Sequence, residues 1–204
     1  MKYVVAFAVA LSIILAMAPP VQSQAEADLE RQIEAIFRYE PRIDAGEKYD
    51  KKAKLEGLGR TEEVKAILLT MLTRYKYSEP ETNFYESIYL SGAAWMLGEM
   101  KVKQAETSLS QILFDRRVHE NIRALAARSL GQIDPEATKE LLLKALANNS
   151  DYFAVRVYAA EGLAKTKDQR VLKALEKYSR EERDPHVRQQ FQKAAQQVRA
   201  RISG

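Results

Sequence analysis

A ten-residue phrase returns along the second half of this chain at intervals of 32 to 33 residues. It reads Ile122-Arg123-x-x-Ala126-Ala127-x-x-Leu130-Gly131, then Val155-Arg156-x-x-Ala159-Ala160-x-x-Leu163-Ala164. A worn copy follows at Val187-Arg188-x-x-Phe191-x-x-x-Ala195. Ala93-Ala94-x-x-Leu97-Gly98 precedes them, with Leu90 in the arginine's place. A period of this size describes similar units that bury their apolar faces only against one another, not a single globule around a cleft. Such a stack acts through an extended surface, so binding is the expected mode of action.

Each unit is expected to hold two helices. Leu130-Gly131 reads as the end of the first, with glycine free to take the left-handed conformation that closes a helix. Asp134-Pro135 reads as the start of the second: the carboxylate accepts free N–H groups, and proline sits where its missing N–H costs nothing. Ala137, Leu141, Leu142, Ala145 and Leu146 are then expected to point inward. Asn149-Ser150-Asp151 and Asp184-Pro185 read as the next caps. Leu109, Ile112 and Leu113, and later Val171, Leu172, Leu175 and Tyr178, repeat the second-helix stripe. The alanine pairs let neighbouring units approach closely, and Leu97, Leu130 and Leu163 fill the seam between them.

The array is expected to begin near Leu55 and to make residues 55–204 the repeat domain. Leu58-Gly59 resembles the later Leu-Gly pairs, and Val64, Ile67, Leu68, Met71 and Leu72 form an apolar stripe. The first unit is stretched by a loop around residues 78–81. Residues 26–54 read as one amphipathic helix, with Leu29, Ile33, Ile36 and Phe37 on its apolar face, followed by a polar linker after Pro41. Residues 1–25 have the layout of a secretory signal peptide: Lys2, an apolar run over residues 4–18 broken only by Ser12, Pro19-Pro20, and small residues at positions 21–25. That run spans about 22 Å as a helix, short of the ~30 Å hydrocarbon core. Cleavage near residues 23–25 and a periplasmic or secreted protein without stable membrane insertion are therefore expected; retention as an anchor is the alternative. The absence of cysteine excludes disulfides, thiol nucleophiles and Cys-bound zinc. A net charge of +4, with acids and bases interleaved, gives little reason to expect a nucleic-acid partner.

The hydrophobic-Arg-x-x-Ala-Ala-x-x-Leu-Gly phrase, followed by Asp-Pro-x-Ala, resembles the short HEAT repeats of prokaryotic proteins. That group includes the repeats of phycobilisome bilin lyases. The resemblance covers residues 85–200 well and residues 55–84 loosely. It implies an all-α fold, a right-handed α-solenoid of about four helical hairpins, serving as a protein-binding scaffold with its second helices on the concave side. Lyase activity does not come with it, because no motif here is tied to that chemistry.

Arg123, Arg156 and Arg188 recur in register. Asp151 precedes Arg156 by five residues and Asp184 precedes Arg188 by four, so each arginine is expected to bridge to the capping region of its own unit or the next. Two sets of residues are partner-binding candidates. Tyr75, Tyr77, Phe84, Tyr85, Tyr89 and Trp95 concentrate aromatic surface of the kind that anchors interfaces. Lys139, Lys173 and Lys177, with Lys144 and Arg170 nearby, form a basic strip suited to an acidic segment of another protein. His119 and His186 occupy non-equivalent positions, and no phosphate loop, nucleophile elbow or metal-ligand spacing occurs. No catalytic residue, metal or cofactor is expected. The leading expectation is a non-catalytic exported scaffold. The alternatives are an accessory or chaperone-like subunit of an envelope enzyme, and a carbohydrate- or cell-wall-binding module using Tyr85 and Trp95.

Overall fold

The computed structural model describes residues 23–38, 50–74, 84–148 and 151–204. The apolar N-terminal run, the linker residues 39–49 and the loop around residues 78–81 lie outside them. Among the described residues, ten α-helices follow in order: α1 (Gln24–Arg38), α2 (Lys51–Glu56), α3 (Thr61–Arg74), α4 (Phe84–Glu99), α5 (Glu106–Phe114), α6 (Glu120–Ile133), α7 (Pro135–Ala147), α8 (Phe153–Leu163), α9 (Gln169–Glu181) and α10 (Pro185–Ser203). A 3-10 turn, Lys103–Ala105, leads into α5.

The helices form two layers. In the first, α1, α4, α6, α8 and α10 stand side by side in chain order. In the second, α3, α5, α7 and α9 each pack against the first-layer helix that follows them. This is the all-α solenoid that the period predicts. Leu97, Leu130 and Leu163, on α4, α6 and α8, are fully buried along one continuous core. Leu68, Leu109, Leu142 and Leu175 are fully buried at matching points of the four second-layer helices. These leucines set the register of the whole array.

Helix α1 belongs to this core. Its Leu29, Ile33 and Phe37 are buried against α3 and α4. A Cβ on Gly92 of α4 would lie 2.8 Å from the Phe37 ring, so glycine there makes room for the aromatic. The first-layer place in the first unit is therefore held by α1. Leu58-Gly59, read from sequence as equivalent to the later Leu-Gly pairs, lies instead in the turn between α2 and α3. Gly59 has φ +67° and is the glycine that takes the left-handed conformation among the described residues.

The later glycines do something else. Helix α6 does not end at Gly131 but continues to Ile133, with Gly131 and Ile133 both buried. A Cβ built on Gly131 would collide with the Cα of Gly162 on α8, and one on Gly162 would lie 2.9 Å from the Cα of Gly131. One on Gly98 of α4 would lie 2.5 Å from the Ser129 hydroxyl of α6. The Ser129 hydroxyl donates to the Ala94 carbonyl of α4 at 2.8 Å. Glycine at this repeat position therefore serves the close approach of first-layer helices, not helix termination.

The proline-linked caps form as expected. Asp134 accepts the Ala137 N–H at 3.1 Å, and Asp184 accepts those of His186 and Val187 at 2.8 and 3.2 Å. Two assignments, one of a cap and one of an inward-facing residue, need correction. Asp151 does not cap α8, whose N-cap residue Tyr152 makes no side-chain capping bond. Ala137 is exposed and Thr138 is buried in its stead. The Thr138 hydroxyl can be buried because it lies 3.1 Å from the Leu130 carbonyl and 2.7 Å from that of Asp134.

Replacing Gly131 with alanine tests the seam. Helix propensity alone would favour alanine by roughly 1 kcal/mol. Against the Gly162 backbone the added methyl is expected to destabilise the fold by about 1–3 kcal/mol, measured by chemical denaturation.

Candidate partner-binding surface

Two of the three repeat arginines tie one unit to the next. Arg123 donates from Nε to the Val118 carbonyl at 3.1 Å and from a terminal nitrogen to both Asp151 oxygens at 2.7 Å. Arg156 donates to the Leu146 carbonyl at 3.2 Å and to Glu182 at 2.6 Å, with its guanidinium 5.1 Å from the centre of the Phe191 ring. Both ion pairs are nearly removed from water, with side chains 7% and 6% exposed in the first and 9% and 12% in the second. Neither Arg156–Asp151 nor Arg188–Asp184, the pairings within one unit, is formed. Arg188, in the last unit, donates to the carbonyls of Glu182 and Arg183 at 3.0 and 3.2 Å.

Cations also close the C-terminal ends of first-layer helices. Lys51 donates to the Phe37 carbonyl at 2.9 Å, Lys165 to that of Gly131 at 3.0 Å, and Arg201 to that of Ala164 at 3.1 Å. Each places positive charge at the negative end of a helix dipole. Burial, reinforced by Lys101 and Arg128, holds the Lys165 amine below the usual lysine range. At the end of α4, Glu99 takes the equivalent place and accepts from Gln132 at 2.7 Å, Trp95 at 3.2 Å and Arg128 at 3.4 Å.

Those contacts settle where several candidate residues go. Trp95 is half-buried with its indole N–H on Glu99. Tyr89 is half-buried and accepts from Arg38, whose guanidinium lies 5.3 Å from its ring centre. Tyr77 and the side chain of Tyr85 lie outside the described residues. His119 caps α6, its Nδ1 accepting from the Asn121 N–H at 3.3 Å. His186 is exposed in the first turn of α10. Among the described residues, the large aromatics most open to water are Tyr152 and Phe153, 36% and 53% exposed, with ring centres 4.5 Å apart where α8 begins. The sequence does not distinguish this pair, because it sits where the repeat places a cap.

The basic strip divides in two. Lys139 lies 2.9 Å from Asp168 and 3.2 Å from Glu136, and Arg170 lies 3.0 Å from both Asp168 and Glu140. These two cations are committed to linking α7 to α9. Arg170 and Lys139 together hold the Asp168 carboxyl far below the usual aspartate range. Lys173 and Lys177 are exposed on the outer face of α9. The buried leucines place equivalent outer positions in rows across the second layer: Ala66, Thr107, Glu140 and Lys173; Thr70, Gln111, Lys144 and Lys177; Thr73, Phe114, Ala147 and Arg180. Helix α5 spans only 9 residues, against 14 in α3 and 13 each in α7 and α9. Two grooves open beside it. One, of about 320 Å³, has Leu72, Ile112 and Val118 as its apolar part; the other, of about 600 Å³, lies between α3 and the turn after α4.

A family model described as HEAT repeats matches residues 89–153 and 106–196, together more than half of the 204 residues. The chain belongs to the HEAT-repeat family. Its repeats are those of a protein-interaction scaffold, and the matched span covers α6 to α9 with all three repeat arginines. No curated protein matches the chain significantly. Among the described residues, no helix is long and apolar enough to cross a membrane, and no three His, Asp or Glu side chains gather to hold a metal ion.

Two outcomes follow from the ion pairs. Truncating Arg156 to alanine leaves Glu182 without its buried partner and is expected to cost about 3–5 kcal/mol of stability. Arg188→Ala, which removes only bonds to the carbonyls of Glu182 and Arg183, should cost less in the same denaturation series. The second outcome concerns pH. Asp168, Asp134 and Asp184 all lie below the ordinary aspartate value, held there by Arg170, by the Ala137 N–H and by the Val187 N–H respectively. The unfolded chain therefore binds more protons in acid, so their stabilisation is complete above about pH 5 and is lost as pH falls through 4 and below. Calorimetry should show a melting temperature that drops below pH 4, with a shallower drop in Asp168→Asn.

Proposed function

We propose that this HEAT-repeat chain is a non-catalytic scaffold that is exported and binds another protein in the periplasm or outside the cell. One observation carries the binding part of the reading. The recurring alanines, glycines and leucines, with Arg123 and Arg156, are consumed in the seams, which leaves the outer face of the second layer free across four helices. A stack of this kind stabilises itself with its repeated residues and recognises partners with its unrepeated ones.

Export rests on the sequence pattern of residues 1–25. The start of α1 adds a constraint. Ser23 and Glu26 form a reciprocal capping box, with the Glu26 N–H on Ser23 Oγ at 3.2 Å and the Ser23 N–H on the Glu26 carboxylate at 2.9 Å. Cleavage after Ser23 or Ala25 removes that cap and costs helix α1 about 1 kcal/mol, which its buried face against α3 and α4 absorbs. Similarity to bilin-lyase repeats adds no reaction to this reading. The carbohydrate-binding alternative is weakened by Trp95, whose indole is turned into the stack.

Proximity labelling from the full chain in its native cell envelope tests the proposal, together with mass determination of the mature N-terminus. The expected result is a processed chain beginning at residues 24–26 and a small recurrent set of labelled envelope proteins. An unprocessed chain confined to the cytoplasm would overturn export. Retention on cell-wall glycan, lost on Trp95→Ala, would overturn protein binding in favour of the carbohydrate reading.

A further inference from the structure

The outer face of the second layer is electrically lopsided. Residues 169–204 hold nine Lys or Arg against four Asp or Glu, a net +5, while the rest of the chain carries −1 of the total +4. On the outer rows the change falls at a single helix. Helices α3 and α5 present Ala66, Thr70, Thr73, Thr107 and Gln111, with no charge; α7 presents Glu140 and Lys144, which cancel; α9 presents Lys173, Lys177 and Arg180. These three are spaced i, i+4, i+7, so they share one face of α9 over about 10 Å. The intramolecular acids nearby are taken: Asp168 by Lys139 and Arg170, Glu140 by Arg170, Glu176 by Arg199, and Glu182 by Arg156. Glu181 is exposed beside the triad.

At the other end of the same face, the groove between α3 and α5 is lined by the buried side chains of Leu72, Ile112 and Val118, with Thr73, Ser108, Gln111 and the Asp115–Arg117 ion pair around them. Its volume of about 320 Å³ lies at the small end of the range for ligand pockets and has room for one or two large side chains. Groove and cationic triad are separated by the widths of α5 and α7. At 8–10 Å per helix, that is roughly 20 Å. An extended peptide covers this in about six or seven residues at 3.3–3.6 Å each.

The geometry points to a bipartite ligand: a protein segment with an apolar anchor that enters the α3–α5 groove and, about six or seven residues away, an acidic cluster that lies on Lys173, Lys177 and Arg180. This rests on the scaffold reading above and names the partner's chemistry and its direction across the layer. An acidic peptide fits better than a polyanion. Continuing from the triad toward the groove, a phosphate backbone would meet Glu140, then uncharged Thr107 and Gln111, then the self-neutralised Asp115–Arg117 pair, whereas a peptide changes character along its length. The charge supplies orientation and on-rate, and the groove supplies the anchor.

The test uses the full mature chain and two fluorescent peptides of identical composition, read by anisotropy. In one, a Leu-Phe pair and three glutamates are separated by seven small polar residues; in the other the same residues are interleaved. The bipartite peptide is expected to bind at least about tenfold tighter. Lys173→Glu with Lys177→Glu should abolish that advantage with the thermal melt unchanged, Lys173→Arg with Lys177→Arg should keep it, and Thr73→Glu should weaken the anchor end. Equal binding of the two peptides, indifference to the charge reversals, or tighter binding of phosphatidylglycerol vesicles or a single-stranded oligonucleotide would overturn the inference. If the doubly reversed chain still labels the same envelope proteins, the docking face is wrong and the scaffold reading stands. If the wild-type chain labels none, the scaffold reading itself fails.

Discussion

Backbone-to-backbone contact between α6 and α8 sets the terms for everything else in this stack. Where Gly131 and Gly162 face each other, no side chain separates the helices, and the flanking alanines of both are fully buried. Dispersion is short-ranged, so the gain from packing rises steeply as the helix axes close. The same closeness forbids any larger residue at those points. It also brings the loops at the end of each unit near enough for Arg123 to reach Asp151 and Arg156 to reach Glu182.

These buried pairs are a costly way to hold a protein together. Each carries the desolvation of two ions, which Coulombic attraction and extra hydrogen bonds to Val118 and Leu146 carbonyls offset. What they add is specificity of register. An arginine that must find a carboxylate in the following unit cannot do so if the units slide, whereas leucines and alanines would tolerate a shifted match. The arginine phrase is therefore legible as a repeat because it is a positional device.

The period, the two helices per unit and the Asp-Pro caps were readable because each depends on local chemistry. Other features were not, because they depend on what lies across a seam. A glycine after leucine has the same signature whether it ends a helix or lets a neighbour approach; only Gly162 opposite Gly131 decides. Ala137 and Thr138 differ by one residue in phase, and hydrophobicity favours the wrong one, since the Thr138 hydroxyl finds its acceptors on the preceding helix end. Helix α1 carries no copy of the phrase, so its place in the first layer is visible only in the packing of Leu29, Ile33 and Phe37, the last against Gly92. On the candidate surface, Lys173 and Lys177 were legible as exposed cations. Lys139 was not separable from them, because Asp168, which occupies it, comes 29 residues later.

The unequal closeness of the two layers has a mechanical consequence. The first layer is a spine drawn tightest at α6 and α8, which already touch at the backbone. The second layer has a short rib in α5, with open space between it and α3. Bending must therefore pivot about the spine and spread or gather the ribs, as the leaves of a hand fan move about their rivet. A guest held at two distant ribs would lock the fan at one opening.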